Sequence, residues 1–152
     1  MKQITAIDYI GVTMNFYCID GKGKILLHKR GKACRDEVGR WDNGGGQLEF
    51  GETPEHGVLR EIKEELGCKA TILEQIPAIS AIRIQNGIKT HWLAIGFIVR
   101  VNPKDVKIME KDKIDDIGWF TLANLPHPLH SAFRRYILQT DRIKYLKKYV
   151  KG

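Results

Sequence analysis

Three things are scarce or missing in this sequence. It has only three cysteines, Cys18, Cys34 and Cys68, and they lie far apart. An odd, scattered set with no CxxC pair and no Cys/His ligand spacing excludes a disulfide framework and a thiolate zinc site. It points to reduced thiols in a cytoplasmic protein. No apolar run approaches the roughly 20 residues needed to cross a bilayer, and Met1 to Thr5 leads into no signal-peptide core, so no membrane association is expected. Repeats, low-complexity tracts and interdomain linkers are also absent, and residues 1–152 are read as one domain.

What is present is an ordinary globular composition, 43% hydrophobic and 28% charged, with a net charge of +7. The charge is localised. From Arg134 to Gly152 seven bases (Arg134, Arg135, Arg142, Lys144, Lys147, Lys148, Lys151) face a single acid, Asp141, so nearly the whole excess sits in this tail. The favoured reading is a solvated face of a helical segment at about 129–151. Ile143, Leu146 and Val150 there have the spacing of a docking stripe. RNA held through the tail is the alternative, and it is not the expectation. A homodimer is left open.

Along the chain, Ile7 to Ile19 is rich in β-branched and aromatic residues and ends at the turn signal Asp20-Gly21-Lys22-Gly23. Lys24 to Arg30 reads as a second strand, and Gly31 to Asn43 as a loop leading to Gly44-Gly45-Gly46, where backbone can approach another group closely. Asn86-Gly87 between Ala78–Gln85 and Ile88–Val101 signals a hairpin. Ile117 to Phe120 reads as a last strand, and Leu129 to Leu138 as the start of the C-terminal helical region.

The clearest helix runs from Thr53 to Leu66. Thr53 suits the N-cap, Pro54 the first helical position, Glu55 the positive end of the dipole, and Gly67 the stop. At 100° per residue with Glu61 at zero, Glu64 lies at about 300° and Glu65 at about 40°, so three carboxylates share a face. Leu59, Ile62 and Leu66, at about 100–160°, share the opposite face, with Val58 at its edge. Like charges at this spacing repel, and a hard divalent cation that takes oxygen ligands is the simplest compensation. Glu52 adds a fourth acid, and Arg60 can orient a neighbouring carboxylate.

The run Gly46-Gln47-Leu48-Glu49-Phe50-Gly51-Glu52, then seven residues, then Arg60-Glu61-Ile62-Lys63-Glu64-Glu65-Leu66-Gly67-Cys68 resembles the Nudix box, G-x₅-E-x₇-R-E-U-x-E-E-x-G-U, with U an apolar residue. Every fixed letter is present. Two positions depart mildly. Cys68 stands at the terminal apolar position, and Gly44 stands where the family often has Pro, which is expected to loosen the loop that presents a backbone carbonyl to a metal.

The resemblance implies an α/β Nudix fold, a mixed β-sheet sandwiched between helices. It implies hydrolysis of phosphoanhydride bonds in nucleoside diphosphate derivatives, with Mg²⁺ or Mn²⁺. By resemblance Glu61, Glu64, Glu65 and the carbonyl of Gly45 hold the metal. Glu61 activates water, Arg60 orients Glu61, and Glu52 braces the helix. Glu110, in the acidic run before Trp119-Phe120, is the further metal ligand or base, with Asp112 in reserve. Arg30 resembles a phosphate-binding position, and Lys29, Lys32 and Arg35 flank the same loop. Trp41, Trp119, His28 and His91 read as structural residues. Subfamily marks outside the box favour nucleoside triphosphates by elimination. Arg83 stands where ADP-ribose hydrolases often have Pro, and no Tyr lies between Tyr17 and Tyr136, where dinucleoside polyphosphate hydrolases often have one. Nucleotide sugars, capped RNA and a non-catalytic nucleotide-sensing module are the alternatives.

Overall fold

The structure is a computed structural model that describes residues 1–152, apart from the side chain of Gln85. Strands β1 (Gly11–Ile19) and β2 (Ile25–Arg30) come first, followed by the short β3 (Trp41–Asp42) and β4 (Gly45–Gln47). Helix α1 (Pro54–Leu66) leads to the long hairpin of β5 (Thr71–Gln85) and β6 (Ile88–Arg100), and then to β7 (Ile114–Phe120). The chain closes with α2 (Ser131–Phe133), a π-helical turn over Arg134–Leu138, and α3 (Ile143–Lys147). One seven-stranded sheet runs β3-β2-β1-β6-β5, with β4 also paired to β1 and β7 to β2. It is mixed, because β1 and β6 are parallel and the other pairs antiparallel.

Alternation along β1 builds both layers, since successive side chains point to opposite faces of a strand. Met14, Phe16 and Cys18 face α1 and form one buried cluster with Val58, Ile62 and Leu66. Tyr17 and Ile19 face the other way and pack with Phe133, Ile137, Leu146 and Val150 of the C-terminal segment. The sheet therefore lies between helices, as the resemblance implied. Strands β1 and β2 pair at Ile19 and Ile25 near their shared turn. Farther along, β4 takes the place beside Thr13–Asn15, while β2 pairs with β3 and β7. The sheet is forked there.

Helix α1 keeps its expected bounds and caps. Thr53 accepts from the His56 N–H, and Gly67 at φ 63° returns its N–H to Lys63. Its docking face is rotated from the expected one. Val58 and Ile62 are fully buried and Leu66 nearly so, whereas Leu59 is only half-buried at the rim. Two strands are longer than the sequence signals suggested. β5 begins at Thr71 and continues through Pro77, where a bulge absorbs the missing N–H, and β7 begins at Ile114. The C-terminal region is not one amphipathic helix. It is three short helical pieces, and Val150 is buried in a bridge to Gly23 rather than on a helix. No described helix is long and apolar enough to cross a membrane.

Truncation of the two apolar positions of α1 separates centre from rim. Ile62→Ala is expected to lower unfolding free energy by about 2–5 kcal/mol in urea titrations. Leu59→Ala is expected to cost less than half of that in the same experiment.

Candidate active site

The fork opens a cleft of about 620 Å³. Its floor is the sheet face carrying Thr13, Asn15 and Tyr17, and one wall is the segment from His130 to Ile137. Glu65 enters from α1, Glu110 from the loop before β7, and Gly44, Gly45 and Gly46 from the turn into β4.

Each of the three glycines is held by contact. Gly44 has φ +105°, and a Cβ there would strike the Phe16 ring. Its carbonyl accepts from the Phe16 N–H at 3.2 Å and from Asn43 Nδ2 at 2.8 Å. Proline, fixed near φ −65°, has no access to this conformation. The turn is pinned rather than loosened, which corrects the expectation drawn from Gly44. A Cβ on Gly45 would lie 2.5 Å from the Met14 carbonyl. A Cβ on Gly46 would collide with the carboxylate of Glu61. The glycine run therefore lets β4 close on β1 and lets a carboxylate reach across it.

Arg60 gathers the acids of α1 and the preceding turn. Its Nε and Nη2 donate to the two oxygens of Glu52 at 3.0 and 2.7 Å. Its Nη1 donates to Glu61 at 2.8 Å and to Glu64 at 3.2 Å, and Nη2 also reaches the Gln47 carbonyl at 3.2 Å. Glu52 in turn accepts from the Glu49 N–H at 2.9 Å. The Arg60 hydrogen bonds, followed by that backbone bond, hold the Glu52 carboxyl at about 2, well below its ordinary value.

The innermost acids behave in the opposite way. Burial raises the pKa of Glu61, and the Arg60 guanidinium only partly offsets it. Burial raises Glu65 well above its ordinary range, and the nearby charges of Glu61 and Glu110 push it further. Glu65 Oε2 is buried and has no hydrogen-bond partner among the described residues. An orphaned carboxylate oxygen that feels the charges of Glu61 and Glu110 has the oxygen-ligand chemistry of a divalent-cation site, although it is Asp36, Glu37 and His130 whose ligand atoms are gathered within 4.8 Å of one another. Glu64 is different. Its side chain is 54% exposed, against 14% for Glu61, and it too is bonded to Arg60.

The NUDIX domain model matches residues 10–140, most of the chain. The chain belongs to the Nudix hydrolase family. A MutT Nudix hydrolase from Burkholderia pseudomallei is 31% identical with a TM-score of 0.69, and the match covers 87% of this chain and 98% of that one. The RNA pyrophosphohydrolase of Blochmanniella floridana is 29% identical over 147 residues, 85% of each chain. The CTP pyrophosphohydrolase of Escherichia coli is 41% identical over 58 residues, 38% of this chain and 42% of the relative. Against several other curated relatives this chain spans only 25–66% of their length.

The Nudix box thus brings Glu52, Arg60, Glu61 and Glu65 together, with Glu110 arriving from 45 residues beyond Glu65 in sequence. Asp112 uses its carbonyl to accept from the Ala33 N–H, and its residue is exposed. Arg30 lines the cleft, but its guanidinium is already engaged by Asp36 at 2.9 Å and Asp42 at 3.3 Å. His28 is buried, and burial lowers its pKa, consistent with a neutral structural role.

Sequence reasoning missed an anchor at the far wall. Glu37, at φ 50°, accepts from the Ser131 N–H at 2.8 Å, from Ser131 Oγ at 2.9 Å and from His130 Nε2 at 2.8 Å. It fastens the loop after β2 to the C-terminal segment across 94 residues, and no local pattern announces such a contact. Trp92, which lines the cleft from β6, was missed as well.

The opposed pKa shifts give a stability test. A raised carboxyl pKa means that the folded state binds its proton more tightly than the unfolded chain, so stability falls as pH rises above about 4.5. The depressed Glu52 works the other way, with stability complete above about 4.5 and lost as pH falls towards 2. In EDTA, Glu65→Gln is therefore expected to melt above the wild type at pH 8 and level with it near pH 4. Addition of Mg²⁺ should raise the melting temperature of the wild type and leave that of the variant unmoved. A variant that melts below the wild type at pH 8 would contradict this.

Proposed function

We propose that this Nudix protein hydrolyses a phosphoanhydride bond in a nucleoside diphosphate derivative with Mg²⁺ or Mn²⁺, and that the substrate is a nucleoside triphosphate, cleaved to the monophosphate and pyrophosphate. The orphaned, buried Glu65 Oε2 beside Glu61 and Glu110 carries the reading. Glu61, Glu65 and Glu110 would hold the ion, with Glu64 and the Gly45 carbonyl at its margin. A bound divalent ion neutralises diphosphate oxygens and lowers the pKa of an attacking water.

The protein's own groups do the rest. Arg60 fixes Glu61 from one side, while Glu52 fixes Arg60 with two bonds. Glu61 Oε2 stays clear of that clamp, because Arg60 takes Oε1, and it is the oxygen available to accept a proton from water. Lys113, 3.6 Å from Glu110, and Arg35 bring positive charge to the cleft. Arg30 serves phosphate only by exchanging its aspartate partners for it. Relatives named as a CTP pyrophosphohydrolase and an RNA pyrophosphohydrolase support cleavage within a polyphosphate.

A second reading, RNA carrying a 5′ polyphosphate, is favoured by one observation. Arg134, Arg135, Lys144, Lys147 and Lys148 are exposed, and Lys144 and Lys148 flank the Tyr145 ring at 5.4 and 5.3 Å. Removing the tail is not a usable test, because Leu146 and Val150 belong to the core. Replacing Lys144 and Lys147 with Gln leaves that core intact. This double variant should lose RNA turnover and keep mononucleotide turnover if the second reading holds.

The main test is a screen of nucleoside triphosphates, nucleotide sugars and capped RNA with products identified. Turnover should need Mg²⁺ and vanish in excess EDTA. Arg60→Lys, which cannot make the paired bonds to Glu52, is expected to lower kcat by roughly 10- to 100-fold. Glu64→Gln separates its exposed position from the inner acids and should lower kcat less than Glu61→Gln. Full activity in EDTA would end the hydrolase reading as stated.

A further inference from the structure

The cleft has a flat aromatic floor beyond its acidic end. On β6, Trp92 pairs in register with Gly11 of β1 on one side and Ala81 of β5 on the other. Neither neighbour has the bulk to stand the indole upright. A Cβ on Gly11 would lie 2.6 Å from Cε3 and Cζ3 of Trp92, so the ring lies across the glycine. The next row inward is Thr13 and Ala94, again small, and Thr13 Oγ1 donates to the Gly46 carbonyl at 3.0 Å. Gly46 is the residue whose missing Cβ admits the Glu61 carboxylate. Trp92 stands one same-face step along the strand, roughly 7 Å, from the Thr13–Ala94 row, on the cleft face whose lining also includes Glu65 and Glu110. At Trp92 the cleft runs on into a shallower groove past Arg35 and Gln47, so the indole is open to a ligand from the side as well.

We infer that Trp92 is the platform on which the planar base of a nucleotide stacks, which makes it a specificity-determining residue that selects base-bearing phosphates over phosphates without a ring system. The inference rests on the nucleotide reading of the cleft and deepens it. Every base has a π-face, so the platform fixes the substrate class and leaves the choice among bases to groups at the rim.

The test compares two probes, adenosine monophosphate and ribose 5-phosphate, by calorimetric titration of the full chain with Mg²⁺. The readout is the ratio of their affinities. Base–aromatic stacking predicts that Trp92→Leu lowers this ratio by about 5- to 150-fold, while Trp92→Phe keeps most of it. Weakening of both probes alike would show a merely structural role and overturn the inference, as would an unchanged ratio. Should Trp92→Leu fail to fold, Gly11→Ala, which tilts the ring without removing it, must lower the same ratio or the inference falls. The two readings fail separately. A reduced ratio in a protein without turnover removes the hydrolase and keeps the platform. Triphosphate turnover with an unchanged ratio does the reverse.

Discussion

Everything at the active end turns on one constraint: Glu61 and Glu65 are ionisable acids held partly out of water beside Glu110. Placing like charges together in a desolvated site is unfavourable, and the protein relieves only part of it. Arg60 compensates Glu61 and bonds Glu52 and Glu64, but nothing among the described residues bonds Glu65 Oε2. The remaining imbalance is what a cation would remove, and a site left electrostatically incomplete by its own chain is a familiar condition for metal-dependent catalysis.

Several distant features serve that constraint. The three glycines are needed because a Cβ at any one would meet Phe16, the β1 backbone or the Glu61 carboxylate. The fork between β1 and β2 is needed because α1 lies on one face of the sheet while the cleft floor lies on the other, so acids from α1 reach the cleft only where strands part. Glu37 holds the far wall by gripping Ser131 and His130, which fixes the distance between the loop after β2 and the C-terminal segment.

The cleft also explains why similar boxes serve different substrates. The acids of the box and Arg60 lie within 14 residues, from Glu52 to Glu65, and on the proposed reading they concern phosphates. The surfaces that would read the rest of a ligand come from β5, β6 and the C-terminal segment, outside the box. On the proposed reading, phosphate chemistry falls to the box and selection to other parts of the fold.

The sequence by itself determined the box and therefore the family, the bounds and caps of α1, the hairpin at Asn86-Gly87 and the partnership of Arg60 with its neighbouring acids. These depend on spacings within a helix turn or on turn chemistry, which act over a few residues. It also placed the docking stripe of α1 within one residue, misjudging Leu59, because a helical wheel gives direction but not the height of the neighbouring sheet. Only the tertiary structure decided which carboxylate is left without a partner, that Glu64 turns outward while Glu65 turns in, and that Arg30 is already engaged by two aspartates. It alone laid Trp92 over Gly11, since the parallel register of β1 with β6 joins residues 81 apart and no local pattern encodes it. Burial and cross-strand register are properties of the packed sheet, and they set the charge balance and the shape of the cleft.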